Sequence, residues 1–144
     1  MKAITLHQPW ATLIAIGAKR YETRGWITYH RGPLLIHAGK TCYPWQAEPD
    51  LAAEVRFALQ LAGLDPHRPL PAGVILASCT LVDCLPATQV TPSASERCFG
   101  DFTPGHFVWV LEGARQSTHI RASGKMGLWD FPGRLDHHPP LLVP

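Results

Sequence analysis

The stretch from Gly73 to Leu85 limits the architecture more than any other part of the chain. Val74, Leu76 and Val82 share one parity, while Ile75, Ala77 and Leu81 share the other. Side chains alternate across a strand, so apolar residues on both parities require cover on both faces. Such a strand sits inside a layered domain, as when a helix packs outside a small barrel. A chain of 144 residues, 46% hydrophobic and 17% charged, is globular rather than disordered and has room for one core of this kind. Its 12 glycines and 14 prolines cut it into short elements and disfavour a helical bundle or coiled coil.

The remaining elements follow from periodicity and punctuation. Lys2 to Leu6 reads as a strand, and Pro9 to Ile16 as a short helix with Trp10, Leu13 and Ile14 on its apolar face. Tyr21 to Trp26 is a further strand, with Glu22 and Arg24 on one face and Tyr21 and Thr23 on the other. Pro33 to Ala38 is a strand entered through Arg31-Gly32. Leu51, Val55, Ala58, Leu59 and Ala62 recur at helical spacing over Asp50 to Ala62, before Gly63. Leu64 to Ala72 is a proline-rich connector, and Gln89 to Gly105 a loop. Phe107 to Leu111, Thr118 to Arg121 and Lys125 to Phe131 supply three more strands. Together these predict an α+β domain over residues 1–131, a small β-barrel with two or three flanking helices, followed by an irregular Pro-rich tail over residues 132–144.

No apolar run approaches the roughly 20 residues that span a bilayer. Lys2 and the apolar stretch from Trp10 to Ala18 imitate a secretory signal, but His7, Gln8 and Pro9 intervene, and a buried helix explains the stretch better. Four scattered cysteines make no disulfide framework, so a reducing, cytoplasmic setting is expected.

Metal and cofactor chemistry find little support. There is no Cys-x-x-Cys, and on an unbroken strand Cys79 and Cys84 face opposite sides. His137-His138 lies in the proline-rich tail, where solvation is the ordinary reading. Neither Gly-x-Gly-x-x-Gly nor a complete Gly-x-x-x-x-Gly-Lys-Ser/Thr follows a strand, which disfavours dinucleotide enzymes and nucleotide triphosphatases. No Gly-x-Ser-x-Gly elbow exists. Ser78-Cys79 sits in the apolar strand, where a buried structural thiol is expected. No metal and no cofactor are therefore assigned.

The charge is small overall but unevenly placed. Lys2, Lys19, Arg20, Arg24, Arg31 and Lys40 face a single acid, Glu22, within the first forty residues, while the rest of the chain is net acidic. This fits an anion-binding face or a solvated surface. The densest polar run is Gly17-Ala18-Lys19-Arg20-Tyr21-Glu22-Thr23-Arg24. A carboxylate between two cations stays ionised, and two readings stand: an ion-pair network closing the barrel end, or a ligand-facing cluster. Trp10, Trp26, Trp109 and Trp129 lie near element ends or on strands, where an indole can pack in the core or stack with a base.

Leu6-His7-Gln8-Pro9-Trp10-Ala11, Gly17-x-Lys19-Arg20-x-Glu22-x-Arg24, Trp26, Arg31-Gly32-x-Leu34 and Ile36-His37-Ala38 resemble ASCH domains. Within them, the pattern is most similar to the ASCH domain of the activating signal cointegrator, a transcription coactivator. Leu81-Val82-Asp83-Cys84-Leu85 and Gly124-Lys125-Met126-Gly127-Leu128-Trp129 fit the same pattern. The resemblance implies a PUA-like β-barrel that binds RNA or DNA in a cleft beside it. By motif position Lys19, Glu22 and Arg24 line that cleft, with Trp10, Trp26 and His37 as candidates for its wall and Lys40 and Lys125 for its basic rim.

The expected function is nucleic-acid binding, RNA slightly before DNA, as a single strand or modified nucleotide, with no membrane partner. Arg20, Arg31 and Lys40 would neutralise phosphates, Glu22 and Arg24 would read a base edge, and Lys19 would add charge at the mouth. The alternative is a small hydrolase acting on RNA or acylated cytidine-type nucleosides, with Lys19 as base and Glu22 beside it. In the amidohydrolase group of the family a Thr nucleophile stands where this chain has Glu22. Thr23 is adjacent here but points to the other face of its strand, so water would have to attack. A protein partner ranks last.

Overall fold

The computed structural model describes residues 1–133 and residue 135. Its elements run β1 (Lys2–Gln8), α1 (Trp10–Ala15), β2 (Tyr21–Arg24), β3 (Gly32–Cys42), α2 (Pro49–Leu61), β4 (Val74–Pro86), α3 (Ala94–Cys98), β5 (Phe107–Arg121) and β6 (Leu128–Asp130). Single 3-10 turns cover Trp45–Ala47 and Ala87–Gln89. The six strands form one mixed sheet in the order β2-β5-β4-β3-β1-β6. Only β1 and β3 run parallel; the other neighbours are antiparallel.

The expected barrel does not form. Among the described residues no ladder joins the edge strands β2 and β6, so the sheet stays open. Closure needs two edges long enough to pair along a staggered register, and β2 offers four residues and β6 only three. The α+β class holds, with three α-helices beside the sheet.

β4 is covered on both faces, as its two-sided apolar pattern requires. Leu76 and Leu81 pack with Ile14 of α1, while Ile75 packs with Ala3, Leu35 and Trp129. The register with β5 shifts three times, between Ile75 and Ala77, Ser78 and Thr80, and Leu81 and Asp83. The last of these adds Val82 on β4, and one extra residue changes which parity of a strand faces the core. Cys79 and Cys84, expected on opposite faces, therefore lie in one buried cluster. The bulges also correct the reading of β5, which is one 15-residue strand where two were expected. Its polar middle stays paired to β4 because Gly113, at φ +65°, takes up an extra residue opposite Ser78–Thr80.

α1 separates two parts of the core. Ala11, Ile14 and Ala15 face the sheet, whereas Leu13 joins Leu51, Val55 and Leu59 of α2, together with Trp45 and Phe99. A helix apolar all round has to be buried all round. The Gln8 side chain secures its start, accepting from the Thr12 amide at 2.9 Å and donating to the Pro71 carbonyl at 2.9 Å. Two other expectations shift. The stretch from Gln89 to Gly105 contains α3, and the strand expected from Lys125 shrinks to Leu128–Asp130 because Gly127 turns at φ +67°. Of the tail, only Pro132, Gly133 and Leu135 are described, with Leu135 against the Trp129 cluster; His137-His138 lies outside the described residues.

Candidate functional site

The motif Gly17-x-Lys19-Arg20-x-Glu22-x-Arg24 starts where α1 stops. Gly17 adopts φ +81°, and the amides of Ala18 and Lys19 both donate to the Leu13 carbonyl, at 2.9 and 3.0 Å. This turn sends the Lys19 side chain inward, where it is 1% exposed. Its ammonium donates to the Tyr21 carbonyl and lies 3.2 Å from Glu22 Oε1. The other Glu22 oxygen lies 3.1 Å from Arg24 Nε, and Arg24 Nη2 donates to the Thr5 carbonyl at 3.3 Å. Alternation along β2 places Glu22 and Arg24 on one face, as expected. Buried charge is tolerable only when paired and hydrogen-bonded, and this chain of contacts supplies both.

A second carboxylate, Glu96, completes the network and was not foreseen. It accepts from the Arg20 and Tyr21 amides at 2.7 and 3.0 Å. Burial raises its pKa, against opposing contributions from the Arg20 amide, the Lys19 charge and the Tyr21 amide. Glu96 comes from α3, whose first turn is capped by the Ser93 hydroxyl accepting from the Glu96 amide. The Ser-x-x-Glu spacing is the one signal that could have marked this helix start within the presumed loop.

Beside this network opens a cavity of about 1030 Å³. Four cations line it: Arg24 at the end of β2, Lys40 on β3, Arg121 at the end of β5 and Lys125 in the loop before β6. No Asp or Glu is among its lining residues. Among the described residues Lys40, Arg121 and Lys125 make no ion pair. Trp26 forms part of the wall, 40% exposed, with its ring held edge-on to buried Trp109 at 4.8 Å. Lys40 belongs to a Gly39-Lys40-Thr41 run, but this run lies within extended β3, so its amides serve a strand and not a phosphate loop.

His37 also lines the cavity yet is 1% exposed. Its Nε2 lies 2.7 Å from the Ala122 carbonyl, which can only accept, so Nε2 carries a proton. In the neutral ring Nδ1 then accepts from the Thr5 hydroxyl at 3.1 Å, while that oxygen accepts from Trp129 Nε1–H at 3.0 Å. Both ring nitrogens are thus engaged within the protein. The arrangement ties the segment Ala122–Gly127, which carries Lys125, to β1 and β3. Gly124 fits because it lacks a side chain: a Cβ there would stand 2.6 Å from Thr5 Oγ1 and 2.9 Å from the His37 ring.

The other expected site residues divide. Lys40 and Lys125 line the cavity with Arg24, Trp26 and His37. Glu22 stands one ion pair removed from it, through Arg24, and Lys19 two. Trp10 packs against Tyr43 and Phe99. Arg31 donates to the Thr28 and His30 carbonyls and lies 3.6 Å from Asp83. Arg20 has an exposed side chain outside the lining, and its backbone amide is what the network uses. Arg121 joins the site without having been singled out, because the chain distance from Arg24 hid a proximity created by the sheet order.

Chemically the arrangement favours holding an anion over attacking an acyl group. Lys19 Nζ is engaged by Tyr21 and Glu22 and sealed from the cavity. Burial pushes the Cys79 thiol up to about 12, so it stays protonated. All four cysteines are free, and among the described residues no cluster of His, Cys, Asp and Glu could hold a metal. Among the described residues no helix is long and apolar enough to cross a membrane.

Known proteins agree with this architecture. The chain is 43% identical to activating signal cointegrator 1 of Mus musculus over 89 residues, and 40% identical to that of Homo sapiens over 88. Each alignment covers 60% of this chain but 15% of the relative, so the chain spans only a small part of those proteins' length. The crystal structure of ASCH from Zymomonas mobilis superposes with a TM-score of 0.53 at 12% identity, covering 89% of this chain and 85% of that one. A mutant of the same protein gives 0.53 with 89% and 87%. At this identity the likeness is one of fold. The ASCH domain family matches residues 4–116, which take in β1 through most of β5 and the whole Lys19–Glu22–Arg24 network, and the chain belongs to that family.

Proposed function

We propose that this chain binds nucleic acid, RNA before DNA, in the cavity between β2, β3 and the Ala122–Gly127 segment. The observation that carries the reading is a cavity of about 1030 Å³ with four Arg or Lys side chains in its lining and no carboxylate. Clefts lined by one sign of charge concentrate the field and draw in polyanions. Arg24, Lys40, Arg121 and Lys125 neutralise phosphates, and the exposed Trp26 ring takes a base against its face. Glu22 and Lys19 act as positioning residues, holding the Arg24 guanidinium at the wall. The preference for RNA follows the family likeness.

Fluorescence anisotropy with labelled single-stranded RNA and DNA tests the reading. Wild-type affinity should fall steeply with salt, with a logarithmic slope near −3 if four phosphates are neutralised at about 0.7 each. Arg24→Ala and Lys125→Ala should each weaken binding and flatten that slope. Unchanged affinity in both variants at low salt would overturn the assignment. The hydrolytic alternative draws no support from Lys19, whose ammonium does not reach the cavity.

A further inference from the structure

A second cavity, of about 360 Å³, lies beyond the end of β3. It is lined by Cys42, Trp45, Gln46, Arg56, His67 and Arg68, with two prolines of the connector. Two segments of the chain contribute residues to both cavities. Along β3, Lys40 and Thr41 line the first and Cys42, the next residue, lines the second. Along the connector, Leu70 lines the second and Ala72 the first. Consecutive Cα atoms are about 3.8 Å apart, so on both sides the walls pass from one cavity to the other within about one or two residues. The separating residue Pro71 is held by Gln8, which donates to its carbonyl from the side chain and accepts from the Tyr43 amide, just past β3, at its backbone, so the two walls are braced together.

The second cavity has the same sign of charge as the first. Arg56 and Arg68 are exposed, and neither Asp nor Glu lines it. The Arg56 guanidinium lies 5.6 Å from the centre of the Trp45 ring, which orients it while leaving its N–H groups open to solvent. Arg68 lies 3.9 Å from Asp65, an exposed pair that is weak and easily exchanged for a phosphate. His67 is fixed at the rim, its amide donating to Asp65 at 2.9 Å.

We infer that the two cavities form one track for a single-stranded nucleic acid. The strand leaves the main cavity past Lys40 and Thr41 and continues into the second, where Arg56 and Arg68 neutralise further phosphates. The inference rests on the proposed nucleic-acid binding and deepens it. It assigns the ligand as an oligonucleotide of several nucleotides rather than a free nucleotide.

A length series of unlabelled RNA competing with a labelled octamer tests it on the wild-type protein alone. Affinity should go on rising past about five nucleotides, which carry the four phosphates of the main cavity, and level off near about seven. A plateau already at about five would overturn the track and leave the main cavity's assignment intact. The double variant Arg56→Gln, Arg68→Gln should bind the octamer about tenfold more weakly, with the salt slope reduced by about 1.4, and bind the dinucleotide as wild type does. Both side chains are exposed, and an unchanged melting temperature verifies the fold. Wild-type affinity for the octamer in the double variant would refute the inference. No binding of any length by the wild-type protein would overturn both it and the reading beneath it.

Discussion

The molecule holds two groups of positive charge that differ in almost every respect. Lys19 is sealed inside, with Glu22 and Glu96 as its acidic company and the Tyr21 carbonyl as a further acceptor. Lys40, Arg121 and Lys125 face an open cavity with no acid in its lining. The first group is contiguous in sequence; the second is spread from residue 40 to residue 125. Arg24 belongs to both, since its Nε meets Glu22 and its side chain forms cavity wall. The difference teaches that the densest polar motif of a sequence can be scaffold, while the charges left free for a ligand are scattered. Buried charge is tolerated where a partner and hydrogen bonds offset its desolvation, whereas unpaired charge has to stay near water.

The largest expected effect breaks the buried group. Lys19→Met leaves Glu22 with Arg24 alone and should destabilise the fold by about 3–5 kcal/mol, read by urea denaturation. A loss under about 1 kcal/mol would show that Lys19 belongs with the exposed group. The converse experiment removes the open group. The triple variant Lys40→Gln, Arg121→Gln, Lys125→Gln should keep wild-type stability within about 0.5 kcal/mol, yet lose about 2 from the salt slope of oligonucleotide binding. Substantial unfolding would mean these cations are structural after all.

Gly124→Ala sharpens the comparison at the seam between protein and cavity. The added Cβ meets Thr5 and His37, so a loss of about 1–3 kcal/mol is expected, together with faster amide exchange across residues 122–127. An unperturbed exchange pattern would remove the anchoring role of the His37–Ala122 bond. The smallest effect concerns Glu96. Its folded pKa is raised, so the native state binds the proton more tightly than the unfolded chain does. Its contribution to stability should therefore decline as pH climbs from the ordinary carboxylate range through the raised value. Comparing the pH dependence of melting in wild type and Glu96→Gln checks the sign, since this decline should be missing from the variant.

How much was legible in the sequence varies with the range of the interaction. The helix over α1 and the side-chain face shared by Glu22 and Arg24 follow from periods of 3.6 and 2, which act over a few residues. The covering of β4 on both faces was equally plain from Ile75 and Leu76. The single β5 was not, because bulges such as that at Gly113 reset parity against a partner strand that the sequence does not display. Glu96 was missed for a related reason: its role is to bind amides more than seventy residues away.

The sequence by itself determined the class of the fold, the family and the pairing of a carboxylate with two cations. These depend on neighbours along the chain and on which residues shun water. Tertiary structure decided that the sheet stays open, that Lys19 goes inside and that Arg121 joins Lys40 and Lys125. Exposure and proximity are properties of packed elements, set by sheet order and by the length of edge strands, and no local pattern of residues encodes them.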